Sequence, residues 1–192
     1  MLDLEPATTT LRDVVDAIDD DQLGATTPCD VPVSALLLHV LGLTAAFREA
    51  GRKVRSPMTE SAPSLGEGAL PPDWRRQLPV LLDDLVQTWR EPDAWDGMTR
   101  IAGSDLPGQV CGIVVNNELV LHAWDLAVAT GQPYAAEQAN LEASWQMVSG
   151  TPDDPVARQG LFGPALDVGE DAPLLDRVLC GAGRDPRWSP VG

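Results

Sequence analysis

The chain has 192 residues, a formal net charge of −16, and 44% hydrophobic residues. This length and composition suit one domain with a sizeable core. The negative charge argues against a nucleic-acid partner, because phosphate binding requires clustered positive charge. No basic segment followed by an apolar segment opens the chain, and the apolar run 36–47 is too short for a membrane span, so we expect a cytoplasmic protein that does not bind a membrane.

Helical spacing of apolar residues predicts the first two helices. The first should begin near residue 8 or 9, and its apolar stripe consists of Leu11, Val14, Val15 and Ile18. The second should run from about residue 33 to residue 50, ended by Gly51. Because it is apolar on nearly all sides, we expect it at the centre of the fold. The polar segment 56–68 that follows is long enough to be mobile or to form a lid.

The rest of the chain also predicts helices, with one short extended segment. Pro71 and Pro72 should open a third helix, which Pro92 ends, and residues 95–103 fit an extended or hairpin segment. A fourth long helix should cover about 110–130, a further one 135–148, and a short one 173–179. We therefore predict an all-α, four-helix bundle with one domain over residues 1–192, including a Pro- and Gly-rich extension from about residue 150.

Both histidines of the chain fall on predicted helices. His39 interrupts an apolar run of the second helix, and Glu118 and His122 lie one turn apart on the fourth. Packed helix axes lie about 8–10 Å apart, so these three side chains can reach one ion. Two imidazoles and one carboxylate suit Zn²⁺, with Ni²⁺, Fe²⁺ and Mn²⁺ as alternatives. The pattern predicts a three-ligand metal site that leaves room for water or substrate.

A purely structural interpretation of the same residues is also available. His39 would then be a core histidine held by hydrogen bonds, and Glu118 with His122 an ordinary helix pair. Spacing alone slightly favours this alternative. A buried glutamate and histidine are costly without partners, however, and a metal ion supplies one. We therefore favour the metal site.

Four neighbouring residues are candidates for roles at this site. Asp125 is the predicted catalytic residue, either by orienting His122 or by proton transfer, and a surface carboxylate or a helix salt bridge is the alternative. Asn117 and Trp124 are candidates for cofactor binding, with a helix-start role and a core position as their respective alternatives. Cys29 is a candidate nucleophile or fourth ligand, or simply structural, since three widely spaced cysteines indicate reduced thiols.

Four motifs occur together in this chain. They are Thr27-Pro28-Cys29, Leu106-Pro107-Gly108, the stretch 118–127, and Gly183-Arg184-Asp185-Pro186. In order and spacing they resemble the actinobacterial relatives of mycothiol-dependent maleylpyruvate isomerase, within the DinB-like metal-binding bundles. The resemblance implies a four-helix bundle with a divalent ion, usually zinc, held near one end by His39, Glu118 and His122. It also implies a mycothiol-type thiol and a small molecule as partners, and a homodimer.

The chain departs from that family in its C-terminal part. The characterised isomerase carries an additional C-terminal domain that contributes to its active site, whereas the segment after Gly150 here is short and Pro-rich. This argues against maleylpyruvate as the substrate. The predicted function is a metal-dependent enzyme that uses a low-molecular-weight thiol on a small electrophile, as an S-transferase or isomerase. A metal-dependent hydrolase and a non-catalytic metal- or ligand-binding bundle are the alternatives.

Overall fold

The computed structural model describes residues 1–66 and 68–190. In chain order its elements are α1 (Glu5–Asp16), a 3₁₀ helix (Asp20–Gly24), α2 (Val33–Gly51), α3 (Pro57–Glu60), α4 (Trp74–Arg90), α5 (Pro92–Trp95), β1 (Met98–Ile101), β2 (Ser104–Pro107), α6 (Gly108–Ala129), α7 (Gln138–Gly150), α8 (Pro155–Arg158) and α9 (Leu174–Gly181).

Four long helices form the body of the molecule. Helix α2 packs against α4 and α6, and α1 packs against the same two helices, which closes a four-helix bundle. The two strands pair only with each other, as an antiparallel hairpin just before α6. The prediction of an all-α bundle is confirmed. A hairpin is present, but only its first strand falls within the predicted segment 95–103, and its second strand follows at Ser104–Pro107.

Helix α2 is the central helix, as its composition predicts. Most of its residues are buried inside the bundle. At 19 residues it extends beyond the apolar run 36–47 and is long and apolar enough to cross a membrane by length and composition alone. Its burial against α4 and α6 is the environment expected of a central bundle helix.

Helix boundaries differ from the predicted ones at three starts. Helix α1 begins at Glu5, with Pro6 in its first turn, and the Thr8 hydroxyl donates to the Glu5 carbonyl at 2.9 Å instead of capping the helix. Helix α4 begins at Trp74, after the Pro71–Pro72 pair. Helix α7 begins only at Gln138. The polar segment 56–68 also contains one helical turn, α3.

The C-terminal part folds back onto the bundle. Helix α7 packs against α6 and α9. Apolar side chains of these three helices form a second cluster that includes Leu121, Trp124, Val148, Val178 and Leu179. The buried Arg158 donates from Nε to the Gly163 carbonyl at 2.7 Å and from Nη2 to the Gly181 carbonyl. These bonds join the loop after α8 to the end of α9.

Candidate metal centre

The structure brings the three predicted ligands together. His39 projects from α2, and Glu118 and His122 project from α6. The distance from His122 Nε2 to Glu118 Oε2 is 2.9 Å, and the two imidazole rings have centroids 5.2 Å apart at an interplanar angle of 89°. One ligand atom from each of the three residues lies within 4.8 Å of the others. This is the convergence that a shared ion requires.

The local geometry fits a divalent ion. Two atoms bound to one zinc ion at about 2.1 Å lie about 3.4 Å apart, so small side-chain rotations bring all three groups into bonding range. His39 Nδ1 is buried and makes no hydrogen bond to residues 1–66 or 68–190. The backbone of Pro63 and Ser64 bonds to this imidazole, but its Nδ1 atom lacks the partner that the structural alternative requires. Two imidazoles and a carboxylate leave a position open for a further ligand.

The protonation of this group follows from its burial and its charges. Burial, together with the charge of His122, lowers the pKa of His39. Burial acts against a charge on His122 as well, but hydrogen bonds to Asp125, Cys29 and Glu118 raise the pKa of His122 well above its ordinary value. Burial alone would raise the pKa of Glu118, and its bond to His122 lowers it instead. Binding of a metal ion through His122 would therefore compete with a proton.

Asp125 contacts the ring nitrogen of His122 that does not face Glu118. Its Oδ2 lies 3.0 Å from His122 Nδ1, which directs Nε2 toward Glu118. Asp125 is fully buried and does not line the cavity described below. Of the two roles predicted for this residue, orientation of His122 fits the geometry, because proton transfer requires access to the substrate. Its burial excludes the surface alternative.

Arg184 is the functional residue that the sequence analysis missed. Its Nε donates to Asp125 Oδ1 at 2.8 Å and its Nη2 to Asp125 Oδ2 at 2.7 Å, a bidentate pair. Burial would raise the pKa of Asp125, but Arg184 lowers it well below its usual range. Arg184 also lines the cavity. The Gly-Arg-Asp-Pro motif was noticed in the sequence, but nothing in its local pattern indicated this contact.

A glycine turn places Arg184. Gly183 has φ +82°, and a Cβ there would lie 2.8 Å from backbone atoms of Gly163. Only glycine tolerates both the conformation and the close approach. The turn after α9 can therefore direct the next side chain toward Asp125.

Cys29 completes the polar network. Its Sγ donates to Asp125 Oδ2 at 3.3 Å and lies 3.7 Å from Arg184 Nη2. Ligand atoms of Cys29, His122 and Asp125 also lie within 4.8 Å of one another. Since both oxygens of Asp125 already accept bonds from Arg184, this second group is better described as a hydrogen-bond network than as another ion site. The thiol borders the cavity, so a nucleophilic or ligand role for Cys29 stays a prediction.

A cavity of about 790 Å³ opens beside the three ligands. Its walls come from α2, α6, the hairpin, the segment 62–65, the loop after α8 and the turn before Arg184. Sites for small molecules usually measure about 300–1,000 Å³. The cavity can hold a small molecule next to the ligands, and the segment predicted as a lid borders it.

The two predicted cofactor-binding residues do not reach this cavity. Trp124 is 3% exposed and packs in the second apolar cluster, as its core alternative states. Asn117 is fully buried, and its side-chain oxygen and nitrogen have no partner within the described ranges. Neighbouring positions on a helix differ by about 100° in direction, so a residue next to Glu118 faces elsewhere.

Comparisons with known proteins agree with this architecture. No family model matches the sequence. The crystal structure of mycothiol-dependent maleylpyruvate isomerase aligns with a TM-score of 0.67 and 19% identity, over 96% of this chain and 88% of that chain. A histidine-to-alanine mutant of that enzyme aligns with a TM-score of 0.63 and 19% identity, over 94% of this chain and 86% of that one. The fold is that of the isomerase.

Two curated sequences are also similar. Both are uncharacterized proteins of Mycobacterium tuberculosis, from strains CDC 1551 and H37Rv, and each is 28% identical over 167 residues, which cover 86% of this chain and 80% of the relative. The structural likeness covers nearly the whole chain, so most of the segment after residue 150 belongs to the shared fold. That this segment does not replace the additional C-terminal domain of the isomerase stays a prediction.

Proposed function

We propose that this chain is a divalent-metal-dependent enzyme that uses a low-molecular-weight thiol of the mycothiol type on a small electrophile, as an S-transferase or isomerase. One observation carries the proposal: His39, Glu118 and His122 converge at the wall of a cavity large enough for a small molecule. The fold shared with a mycothiol-dependent enzyme supports it. Zinc is the proposed metal, although nickel, iron and manganese suit the same ligands.

Each side chain has a separate task in this mechanism. When bound, the metal lowers the pKa of a coordinated thiol, so that the thiolate forms near neutral pH. His39, Glu118 and His122 would hold the metal, and Asp125 fixes His122 through Nδ1. Arg184 holds Asp125 and borders the substrate. An apolar substrate group on the apolar lining would displace water from the cavity, which favours attack by the thiol over hydrolysis.

We also propose a cytoplasmic location and a homodimer. The cytoplasm keeps low-molecular-weight thiols reduced, and the three cysteines of this chain are free thiols. The dimer is proposed from the family resemblance. Sedimentation of the purified protein measures its oligomeric state directly.

Elemental analysis tests the metal site first. Protein purified without chelator or a histidine tag should contain one equivalent of metal, and both His122→Ala and Glu118→Gln should lose it. Glu142→Gln is the matched control, because Glu142 is an exposed glutamate on α7 that bonds only to Gln138 among the described residues. Wild-type protein without stoichiometric metal after reconstitution, or full metal in His122→Ala, would contradict the site.

Thiol conjugation of a model electrophile then tests the reaction. Metal-loaded wild-type protein should accelerate conjugation, and His122→Ala should not. Metal-dependent turnover without added thiol would instead support the hydrolase alternative. Stoichiometric metal without any turnover would support a non-catalytic binding protein.

A further inference from the structure

The cavity has an apolar side that begins at the metal ligands. On α2, Leu43 and Phe47 follow His39 at intervals of four residues, so the three side chains form one stripe. On α6, Val114 precedes Glu118 by the same interval. A small crevice lined by Leu43, Phe47 and Glu118 shows that the two stripes face each other. On both helices, therefore, the side chains change from polar metal ligands to apolar residues toward the same end of the bundle.

The hairpin closes this side of the cavity. Ile101 at the end of β1 and Leu106 in β2 both line the cavity. Together with the stripes they form what we call the apolar wall, which consists of Leu43, Phe47, Ile101, Leu106 and Val114. The polar groups Cys29, Asp30 and Arg184 lie on the opposite side, next to Leu161 and Phe162 of the Gly160–Gly163 turn. A polar thiol cosubstrate and an apolar group thus have separate surfaces on either side of the ligands.

A bound metal ion would have its two charges balanced by Glu118 and the thiolate, and the other charges that face the cavity leave no uncompensated cation for an acidic substrate. Its ionisable lining consists of Cys29, Asp30, His39, Glu118, His122 and Arg184. Among the described lining residues Arg184 is the only permanent cation, and its bidentate pair with Asp125 already compensates its charge. Asp30 adds an uncompensated acid at the rim, and the whole chain carries −16. A dicarboxylate would lose its hydration here without gaining a matching partner.

We propose that the substrate is an uncharged electrophile whose apolar body docks on the apolar wall. This inference rests on the proposed function and defines the substrate class of that same site. For an activated alkene the balance is simple: the thiol sulfur bonds to one alkene carbon, the C=C π bond breaks, and the thiol proton ends on the neighbouring carbon. No further reagent is consumed. Burial of the apolar body on the wall supplies the binding free energy.

A homologous series of electrophiles tests this inference. Maleate and its dimethyl, diethyl and dibutyl esters are compared by rate enhancement over the uncatalysed reaction with the same thiol, which removes their different intrinsic reactivities. We expect the enhancement to rise along the esters and to exceed that of maleate at least tenfold. An equal or larger enhancement for the dianion would overturn the proposal.

A binding measurement separates this proposal from the proposed function. Dibutyl succinate and succinate cannot react with a thiol, so their binding to metal-loaded protein is measured by calorimetry. Binding of the ester at least tenfold tighter than that of succinate supports the substrate class even if no thiol-dependent turnover is found. Equal binding, or tighter binding of succinate, overturns it even if the enzyme is active.

Variants of the apolar wall locate the effect. Val114→Arg places a cation on the wall and should reduce the preference for esters at least tenfold. Val110→Arg is the matched control, since Val110 lies one turn earlier on α6, is 49% exposed and does not line the cavity. Leu106→Lys provides a second test on the hairpin if Val114→Arg fails to fold. An unchanged preference in both wall variants, or an equal change in Val110→Arg, would count against the proposal.

Discussion

The two sides of the candidate site are built in different ways. His39, Glu118 and His122 project from long helices, where residue spacing alone sets their direction. Arg184 follows a glycine turn in a segment without regular periodicity, and the bonds of Arg158 to two carbonyls hold that segment in place. The comparison shows that regular helices position side chains through periodicity, whereas irregular segments need buried hydrogen bonds and ion pairs.

The two sides meet at Asp125, so the largest effect should follow from breaking the ion pair there. Arg184→Met leaves a buried carboxylate without its cation and should lower the free energy of unfolding by about 3–5 kcal/mol. Asp125→Asn should cost a similar amount. The double variant should lose clearly less than the sum of the two, because neither charge is then left alone. Denaturant unfolding of metal-free protein measures all three, and strictly additive losses would show that the pair is not coupled.

Metal affinity should show that Asp125 also supports the metal ligands on the helices. Asp125→Asn keeps all three ligands but weakens the hold on His122 Nδ1, so zinc affinity should fall about 10–100-fold. Asp171→Asn is the control, as an exposed aspartate of the C-terminal segment. Competition with a chromogenic chelator measures the affinity. Unchanged affinity in Asp125→Asn would mean that this carboxylate does not orient the ligand.

The role of the irregular segment can be tested at the Gly183 turn, which precedes Arg184. Gly183→Ala forces a residue with φ +82° against the backbone of Gly163 and should lower stability by about 1–3 kcal/mol. It should also lower thiol-dependent activity, because Arg184 shifts away from Asp125. Gly169→Ala is the matched control, since open space surrounds that position. Equal thermal stability of the two variants would contradict the role given to the turn.

The smallest of the expected effects is the change in metal affinity for each pH unit. The raised pKa of His122 means that zinc displaces a proton, so affinity should rise about tenfold per pH unit below that pKa. In metal-free protein, the stabilisation from charged His122 is present below its ordinary pKa and is lost as pH rises through the raised value. The lowered pKa values of Glu118 and Asp125 act oppositely, with stabilisation lost as pH falls through them. Calorimetric unfolding with and without zinc across pH measures both trends, and a pH-independent zinc affinity would contradict proton displacement.

The sequence predicted the helices well where an apolar pattern was continuous. Helix α2 begins at the predicted residue, and α6 begins within two residues of its predicted start. The starts of α1 and α7 were less well predicted, because tertiary contacts add turns or remove them at helix ends. Tyr134, just before α7, donates to the Val120 carbonyl at 2.8 Å, which keeps that segment outside the helix.

At the candidate site, too, some features could be predicted from the sequence and others could not. The spacing of Glu118 and His122 predicted their shared face, because one helical turn connects them. Residue spacing could not predict which way the side chains of Asn117 and Trp124 face. Helix α6 is buried on nearly all sides, so its apolar pattern does not indicate which residues face the cavity and which face α7 and α9.

What the sequence by itself determined is the set of long helices and the placement of each metal-ligand candidate along them, since both follow from local periodicity. Only the tertiary structure decided that Arg184 reaches Asp125, 59 residues earlier in the chain, and that Cys29 joins the same network. The physical reason is that such contacts depend on how loops return to the bundle. That path is set by buried backbone bonds and a glycine turn, which leave no repeating pattern in the sequence.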